Sequence, residues 1–467
     1  MLFVVPHNRK PASATAWLML IMLFPTFGLI LFLLIGSPKL PKRRRDLQAT
    51  MDKIIAKAVK KAQKNPKLAA LLNPNKISDR IQPFANLNTN LGGLPVFSGN
   101  KVELLSDYGD AFGRIINDIN RAQAFVHIEF FAMVYDEETE PVFDAMARAI
   151  KRGVKVRVLF DTLGSRKYPH YRKMKRLLSD IGVEWHRMLP IGIPFKSFSR
   201  PDLRNHRKIV VIDGHTGYTG SQNLIRQNYH RRDDLYYQEL LARVQGPVVL
   251  QLDAAFMTDW YSETKVLLNL NSTPETTTDA IANGDVLAQV LPSGPGYEND
   301  NNLKLFNELI HAAKNRIVLT NPYFVPDGSL MIAITSAAQR GVDVTLINSE
   351  IIDQALVGHA QRSFYNELLR AGVKIYWYES PVLLHSKHIT IDDDIAVIGS
   401  SNLDMRSFQL NLEVTLVAYD KNVVKNLRKV EATNLRHAHK LNLTTWRARP
   451  LRSKMLDDLA RLTSALQ

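Results

Sequence analysis

A frame of spaced residues occurs twice in this chain and constrains its fold more than any other feature. His206, Lys208, Asp213, Gly220, Ser221 and Asn223 recur as His385, Lys387, Asp392, Gly399, Ser400 and Asn402. Each copy reads H-x-K, four residues, D, six residues, G-S-x-x-N, and the copies lie 179 residues apart with no gap inside either frame. A lone His-x-Lys is usually a surface accident, but a full frame repeated in register requires a duplicated unit. The surroundings repeat as well. Arg152-Gly153-Val154 opens the apolar run VKVRVLF, and Arg340-Gly341-Val342 opens VDVTLIN. Ile181-Gly182-Val183 and Ala371-Gly372-Val373 each precede a short aromatic run before the frame.

The apolar runs set the fold class. VHIEFFAM, VKVRVLFD and KIVVID read as buried strands, with a helical pattern from Pro141 to Lys151; RIVLTNPYF, VDVTLIN, VKIYWY and HSKHITID repeat the order. Continuous Val/Ile runs alternating with helical stretches predict α/β units. Two such halves are expected over 96–270 and 286–467 and suggest a pseudo-two-fold arrangement. The polar, Thr-rich stretch 271–285 reads as their linker, and a basic helical tail follows from Asn422.

The paired frame resembles the phospholipase D superfamily, whose signature is a His-Lys-Asp motif present twice. An acidic residue stands 28 positions after each frame His: Asp234 and Glu413. The likeness covers roughly residues 96–440. Within the superfamily, NRKPASATAWLMLIMLFP followed by GSPKLPKRRR resembles the bacterial cardiolipin synthases. The resemblance implies that the two motifs meet between the halves in one active site.

The N-terminal segments bear on location. No charged residue occurs from Pro11 to Pro38, and the stretch from about Ala14 to Ile35 is long enough for one transmembrane helix across about 30 Å of hydrocarbon. It is long for a signal peptide, and no A-x-A-like cleavage site follows it. Residues 1–40 are therefore expected to be a membrane anchor. Arg9 and Lys10 precede the stretch, and Lys39, Lys42, Arg43, Arg44 and Arg45 follow it, which places the catalytic bulk at the cell membrane facing the cytoplasm. The next segment, 41–95, is basic near its start. Residues 42–67 hold ten Lys/Arg against Asp46 and Asp52, which suits either an arm on anionic lipid or a solvated linker. The formal charge of +15 favours a polyanionic partner, nucleic acid or anionic membrane. With no Cys there is neither a disulfide framework nor a thiolate metal site.

A phosphodiester repels nucleophiles, so a site that attacks it needs a nucleophile, a proton donor for the leaving alkoxide, and cations on the phosphoryl oxygens. Two His and two Lys supply these without metal or cofactor. The resemblance implies a phosphohistidine intermediate, with His206 assigned as nucleophile and His385 as acid, then base. It further implies Lys208 and Lys387 as phosphoryl clamps, Ser221, Asn223, Ser400 and Asn402 as hydrogen-bonding support, and Asp234 and Glu413 as carboxylates that fix the imidazole tautomers. Asp233 is an adjacent candidate for the first of these. Asp213 and Asp392 belong to the motif and either serve the site or brace the fold. MLPIGIPF at 188–195 and Val382-Leu383-Leu384 either admit acyl chains or approach a strand as core. His437 and His439 read as part of a solvated basic helix, not as metal ligands.

The resemblance to the cardiolipin synthases implies phosphatidyl transfer from one phosphatidylglycerol to another, giving cardiolipin and glycerol, with anionic membrane lipid as the partner and no nucleic acid. The rivals are a membrane-bound phospholipase D hydrolase, another phosphatidyltransferase such as a phosphatidylserine synthase, a superfamily nuclease, and a catalytically dead lipid-binding module. Neither the oligomeric state nor the acyl preference can be read from the sequence.

Overall fold

A computed structural model of the chain describes residues 3–7, 11–37, 39–72, 77–190, 200–230, 234–268, 284–298 and 300–464. The apolar runs become strands, and two of them, Phe125–Phe130 and Lys208–Ile212, are buried at every position. Phe125–Phe130, Lys155–Asp161 and Glu184–Met188 lie parallel. Helices Glu140–Lys151 and Tyr171–Asp180 form the intervening connections. Lys208–Ile212 then enters antiparallel to Phe125–Phe130 and returns as Thr216–Gly220 beside Leu241–Gln245. The second half repeats the plan. Arg316–Thr320, Asp343–Ser349 and Lys374–Tyr378 are parallel, and His388–Ile391, Ile395–Gly399 and Asn411–Tyr419 are antiparallel.

Two strands fuse the halves. Phe97–Leu105 pairs with both Leu241–Gln245 and Val286–Ser293, and the latter pairs with Asn411–Tyr419. Among the described residues one 16-stranded sheet therefore runs through both halves, and strands follow in matching order outward from the seam. The expected linker at 271–285 lies almost wholly outside the described residues.

The segment 41–95 is more integrated than its charge suggests. Lys42–Lys64 is one helix whose Met51 and Ile54 join a core with Leu40 and Trp260, and Arg44 makes a two-pronged ion pair with Glu263 at 2.7 and 2.8 Å. Helix Gln82–Gly92 packs Phe84 and Ala85 into the core of the second half.

The expected single transmembrane helix is not what the stretch forms. Pro11–Leu23 and Pro25–Ile35 are separate helices packed on each other. Among the described residues no helix is long and apolar enough to cross a membrane. Pro25 explains the break: it has no N–H to donate, and its ring crowds the carbonyl four residues back. Gly28 lets the helices close, because a Cβ there would lie 2.7 Å from the Leu20 carbonyl oxygen. Trp17 meets Phe32 edge-on at 5.4 Å. The outer surface of the hairpin stays apolar, with Met22, Leu23, Phe27 and Leu33 exposed.

The tail is helical in three pieces, Lys421–Arg436, Leu443–Arg447 and Leu451–Arg461. His437 and His439 are not within a helix: Ala438–Lys440 forms an edge strand against Tyr376–Tyr378.

Candidate active site

Each frame His is delivered by a short strand that borrows its partner from the other half. Arg204–Asn205 runs parallel to Asn411–Leu412, and the His206 N–H donates to the Leu412 carbonyl at 2.9 Å. Val382–Leu384 runs parallel to Tyr236–Gln238, and the His385 N–H donates to the Gln238 carbonyl at 2.8 Å. The next residue on each borrowed strand is a buried glutamate. Glu413 accepts from His206 Nδ1 at 2.9 Å, and Glu239 accepts from His385 Nδ1 at 2.6 Å. Each imidazole is thus oriented by a carboxylate of the opposite half through Nδ1, which leaves Nε2 on the side away from that carboxylate.

The remaining frame residues follow the same symmetry. Lys208 Nζ donates to the His206 carbonyl and Lys387 Nζ to the His385 carbonyl, both at 2.7 Å. Ser221 Oγ accepts from the Leu240 N–H and Ser400 Oγ from the Val414 N–H, both at 3.0 Å. The Ser400 hydroxyl also donates to Glu413. Asn223 holds the Ala132 N–H at 3.2 Å, while Asn402 Oδ1 is buried and has no hydrogen-bond partner among the described residues.

Burial sets the electrostatics. It pushes the His206 imidazole down to about 4, with Lys208 and Lys387 adding to the effect against Glu413. His385 is lowered for the same reason. Burial also lowers Lys208 to about 7 and Lys387 to about 8. Glu239 resists burial and is held at about 2 by His385 and Lys387, and Glu413 is held low by His206 and Lys208. Burial thus favours the neutral imidazoles while the two carboxylates stay ionised, and the two lysines close on the same place bring titratable cations into it.

The surroundings break the symmetry. Phe131 presents its edge to His206 at 5.1 Å between ring centroids. His385 instead faces Tyr237 at 5.6 Å and Tyr323 at 6.2 Å. The Tyr323 hydroxyl donates to Asp353 at 2.6 Å.

Asp234 is not the second carboxylate; it is half-exposed and paired with His230. The residue that holds His385 is Glu239, 33 positions after His206 where its mate Glu413 is 28 after His385. Five extra residues between frame and acid displaced the count. The recoverable signal was a glutamate heading an apolar strand in both QELLARV and LEVTLVA. Asp233 lies outside the described residues. Asp213 and Asp392 lie just past the far ends of strands Lys208–Ile212 and His388–Ile391, whose near ends follow the two histidines. Asp213 accepts the N–H groups of Gln123, Ala124 and Phe125 at 2.8–2.9 Å. Asp392 does the same for Lys314, Asn315 and Arg316 and also binds Arg80. Both therefore brace strand starts. In MLPIGIPF, Met188 and Leu189 are core, and 191–195 lie outside the described residues. Leu383 and Leu384 are fully buried, as core approach requires.

A family described as cardiolipin synthase, PLD-like domain, matches residues 115–260 and 306–432. The chain belongs to this family. A second family, described as phospholipase D-nuclease N-terminal, matches residues 1–37 and so spans the helical hairpin. Cardiolipin synthase A of Proteus mirabilis (strain HI4320) is 34% identical, over 99% of this chain and 94% of its own length. A cardiolipin synthase of Alkalihalophilus pseudofirmus is 32% identical, over 98% of this chain and 90% of its own. Among solved structures, the phosphatidylserine synthase of Haemophilus influenzae Rd KW20 shares the fold, with a TM-score of 0.62, 16% identity, and coverage of 84% of this chain and all of that one.

Proposed function

We propose that this chain is a cardiolipin synthase that transfers a phosphatidyl group from one phosphatidylglycerol to a second. The crossed His–Glu pairs, each with a lysine two residues from its imidazole, carry this reading. His206 is the nucleophile. Its Nε2 forms a bond to phosphorus as the bond to the glycerol oxygen breaks, and Glu413 stabilises the cationic ring through Nδ1–H. His385 takes up a proton when the phosphodiester anion enters, and it passes that proton from Nε2 to the departing glycerol. The same Nε2 then takes the hydroxyl proton of the second phosphatidylglycerol as that oxygen attacks phosphorus and the P–N bond breaks. Lys208 and Lys387 hold the phosphoryl oxygens. One phosphodiester replaces another, so the transfer is close to energetic balance and needs no nucleotide.

The hairpin seats its apolar outer surface in the membrane. A hairpin returns the chain to the side it entered from, so the basic flank Lys39–Arg45 lies on that side. The positive-inside rule assigns that side, and the catalytic halves with it, to the cytoplasm.

The test uses the full chain in mixed micelles with labelled phosphatidylglycerol, separating the lipid products. Cardiolipin and free glycerol are expected, both lost in His206→Ala and in His385→Ala. Phosphatidic acid as the sole product makes the chain a hydrolase and overturns the proposal.

A further inference from the structure

The C-terminal helix Leu451–Arg461 carries an apolar surface that the fold does not use. Leu451, Met455 and Leu459 stand at i, i+4 and i+8, and Leu462 follows the last of them by three, so all four share one face. All four are more than half exposed, and so is the neighbouring Leu456. The opposite face is fixed to the protein. Asp457 is buried, accepts from His359 at 2.8 Å and pairs with Arg449 at 2.8 Å; Ala460 is buried beside it. The helix is thus held with its apolar stripe outward.

On the flank between these faces lies a cleft of about 830 Å³, formed with helices Gly328–Gln339 and Ala355–Ala371. Six cations line it, Arg362, Arg370, Arg447, Arg449, Lys454 and Arg461, against three carboxylates, Glu367, Asp457 and Asp458. Arg449 and Arg461 are engaged by Asp457 and Glu367. Among the described residues Arg362, Arg370, Arg447 and Lys454 form no ion pair, which leaves the cleft a surplus of positive charge. Arg449 lies over the face of Trp446 at 3.3 Å, so an aromatic ring also lines the cleft.

An apolar helical stripe beside unpaired cations is the pattern of an interfacial helix on an anionic bilayer. We propose that Leu451–Arg461 and its cleft are a second membrane contact, separate from the N-terminal hairpin. The stripe enters the boundary between headgroups and acyl chains, and the cleft takes the phosphates of anionic phospholipids. Charge complementarity selects this occupant: a purely protein partner would need only the stripe, and a soluble anion only the cleft. This surface stands apart from the His206–His385 site and does not depend on the assigned reaction.

The chain has no cysteine, so a single dye can be placed at will. Full chains carrying Leu459→Cys, or Lys425→Cys on an exposed helix as control, are labelled with an environment-sensitive dye. They are then reconstituted singly into nanodiscs of phosphatidylcholine alone or with phosphatidylglycerol. The dye at 459 is expected to shift to the blue and to be quenched by spin-labelled lipid at least threefold more in the anionic discs. The dye at 425 should do neither. Arg370→Glu with Arg447→Glu should abolish most of the difference at 459 while leaving the thermal melt unchanged. A dye at 459 that stays in water in both lipids overturns the proposal. So does a blue shift that appears in lipid-free detergent and grows with protein concentration, because that assigns the stripe to a second copy of the chain.

Discussion

His206 and Glu413 meet at 2.9 Å across the seam between the halves, although 207 residues separate them in the chain. His385 and Glu239 mirror them at 2.6 Å across 146 residues. Neither half orients its imidazole by itself: each depends on a carboxylate of the other. Glu413→Gln and Glu239→Gln should keep the fold yet lower kcat roughly 10²- to 10⁴-fold, because the amide favours the wrong tautomer and no longer stabilises an imidazolium. Asp234→Asn should leave kcat near that of the parent. Steady-state cardiolipin formation by the three variants checks this, and a loss in Asp234→Asn equal to that in Glu239→Gln would overturn the assignment.

The assignment of nucleophile and acid can be tested with a donor whose leaving group needs no protonation. With such a donor, His385→Ala should still accept a labelled phosphatidyl group and, lacking its base, retain it. His206→Ala should accumulate no label. A phosphohistidine is acid-labile and base-stable, so quenching at two pH values identifies the bond. Label in His206→Ala but not in His385→Ala would reverse the two roles.

The frame, the duplication and the α/β alternation were legible in the sequence because each rests on local spacing or period. His206, Lys208, His385 and Lys387 needed only two-residue offsets, which a buried strand preserves. The carboxylates were harder. A spacing of 28 from the frame His leads to Glu413 because no insertion intervenes, whereas the loop before Glu239 is five residues longer and the same spacing leads to Asp234. The crossing of the pairs has no sequence signature, since it follows from strands of one half adding to strands of the other. The hairpin is not legible in the same way: membrane helices tolerate Pro and Gly, so Pro25 and Gly28 inside the apolar stretch are compatible with one span, and only the packing of the two helices distinguishes a turn from a kink.

The shifted groups set the sign of stability against pH. His206 is held at about 4 in the folded chain against 6.5 unfolded, so between those values the unfolded chain binds more protons and stability falls as pH falls. Lys208, at about 7 against 10.5, acts in the same direction between those values. Glu239, at about 2 against 4.5, stabilises above 4.5 and loses that contribution as pH falls towards 2. Thermal melts should therefore show Tm rising with pH from 4 to 8. His206→Asn should flatten the segment between about 4 and 6.5, and Lys208→Met the segment above 7. Slopes identical to those of the parent would mean that burial lowers neither group.

Asp213 tests the separation of bracing from catalysis. Its carboxylate accepts three N–H groups at the start of Phe125–Phe130, and its backbone has φ 52°, a conformation unfavourable to most side chains. Asp213→Ala removes the acceptor and strains the turn, which should cost about 3 kcal/mol of stability. The folded fraction should retain its kcat. Urea unfolding followed by activity normalised to folded protein measures both. A kcat loss matching that of His206→Ala, at unchanged stability, would return Asp213 to the active site.

Pro25 and Gly28 decide between a hairpin and a span. One helix over residues 11–35 would be 25 residues and about 37 Å long, enough to cross a bilayer. The chain folds back instead, with Trp17 and Phe32 in contact. Pro25→Ala restores the missing donor and should let the helix continue. Gly28→Leu should part the two helices, because its Cβ would fall 2.8 Å from the Ile21 Cα. With Trp17→Cys and Phe32→Cys in the otherwise cysteine-free chain, a short thiol cross-linker should join the two positions efficiently in membranes. Yield should drop several-fold when either Pro25→Ala or Gly28→Leu is added. Cross-linking that is absent in the Pro25, Gly28 parent would mean that the segment spans the bilayer, and the two basic flanks would then lie on opposite sides.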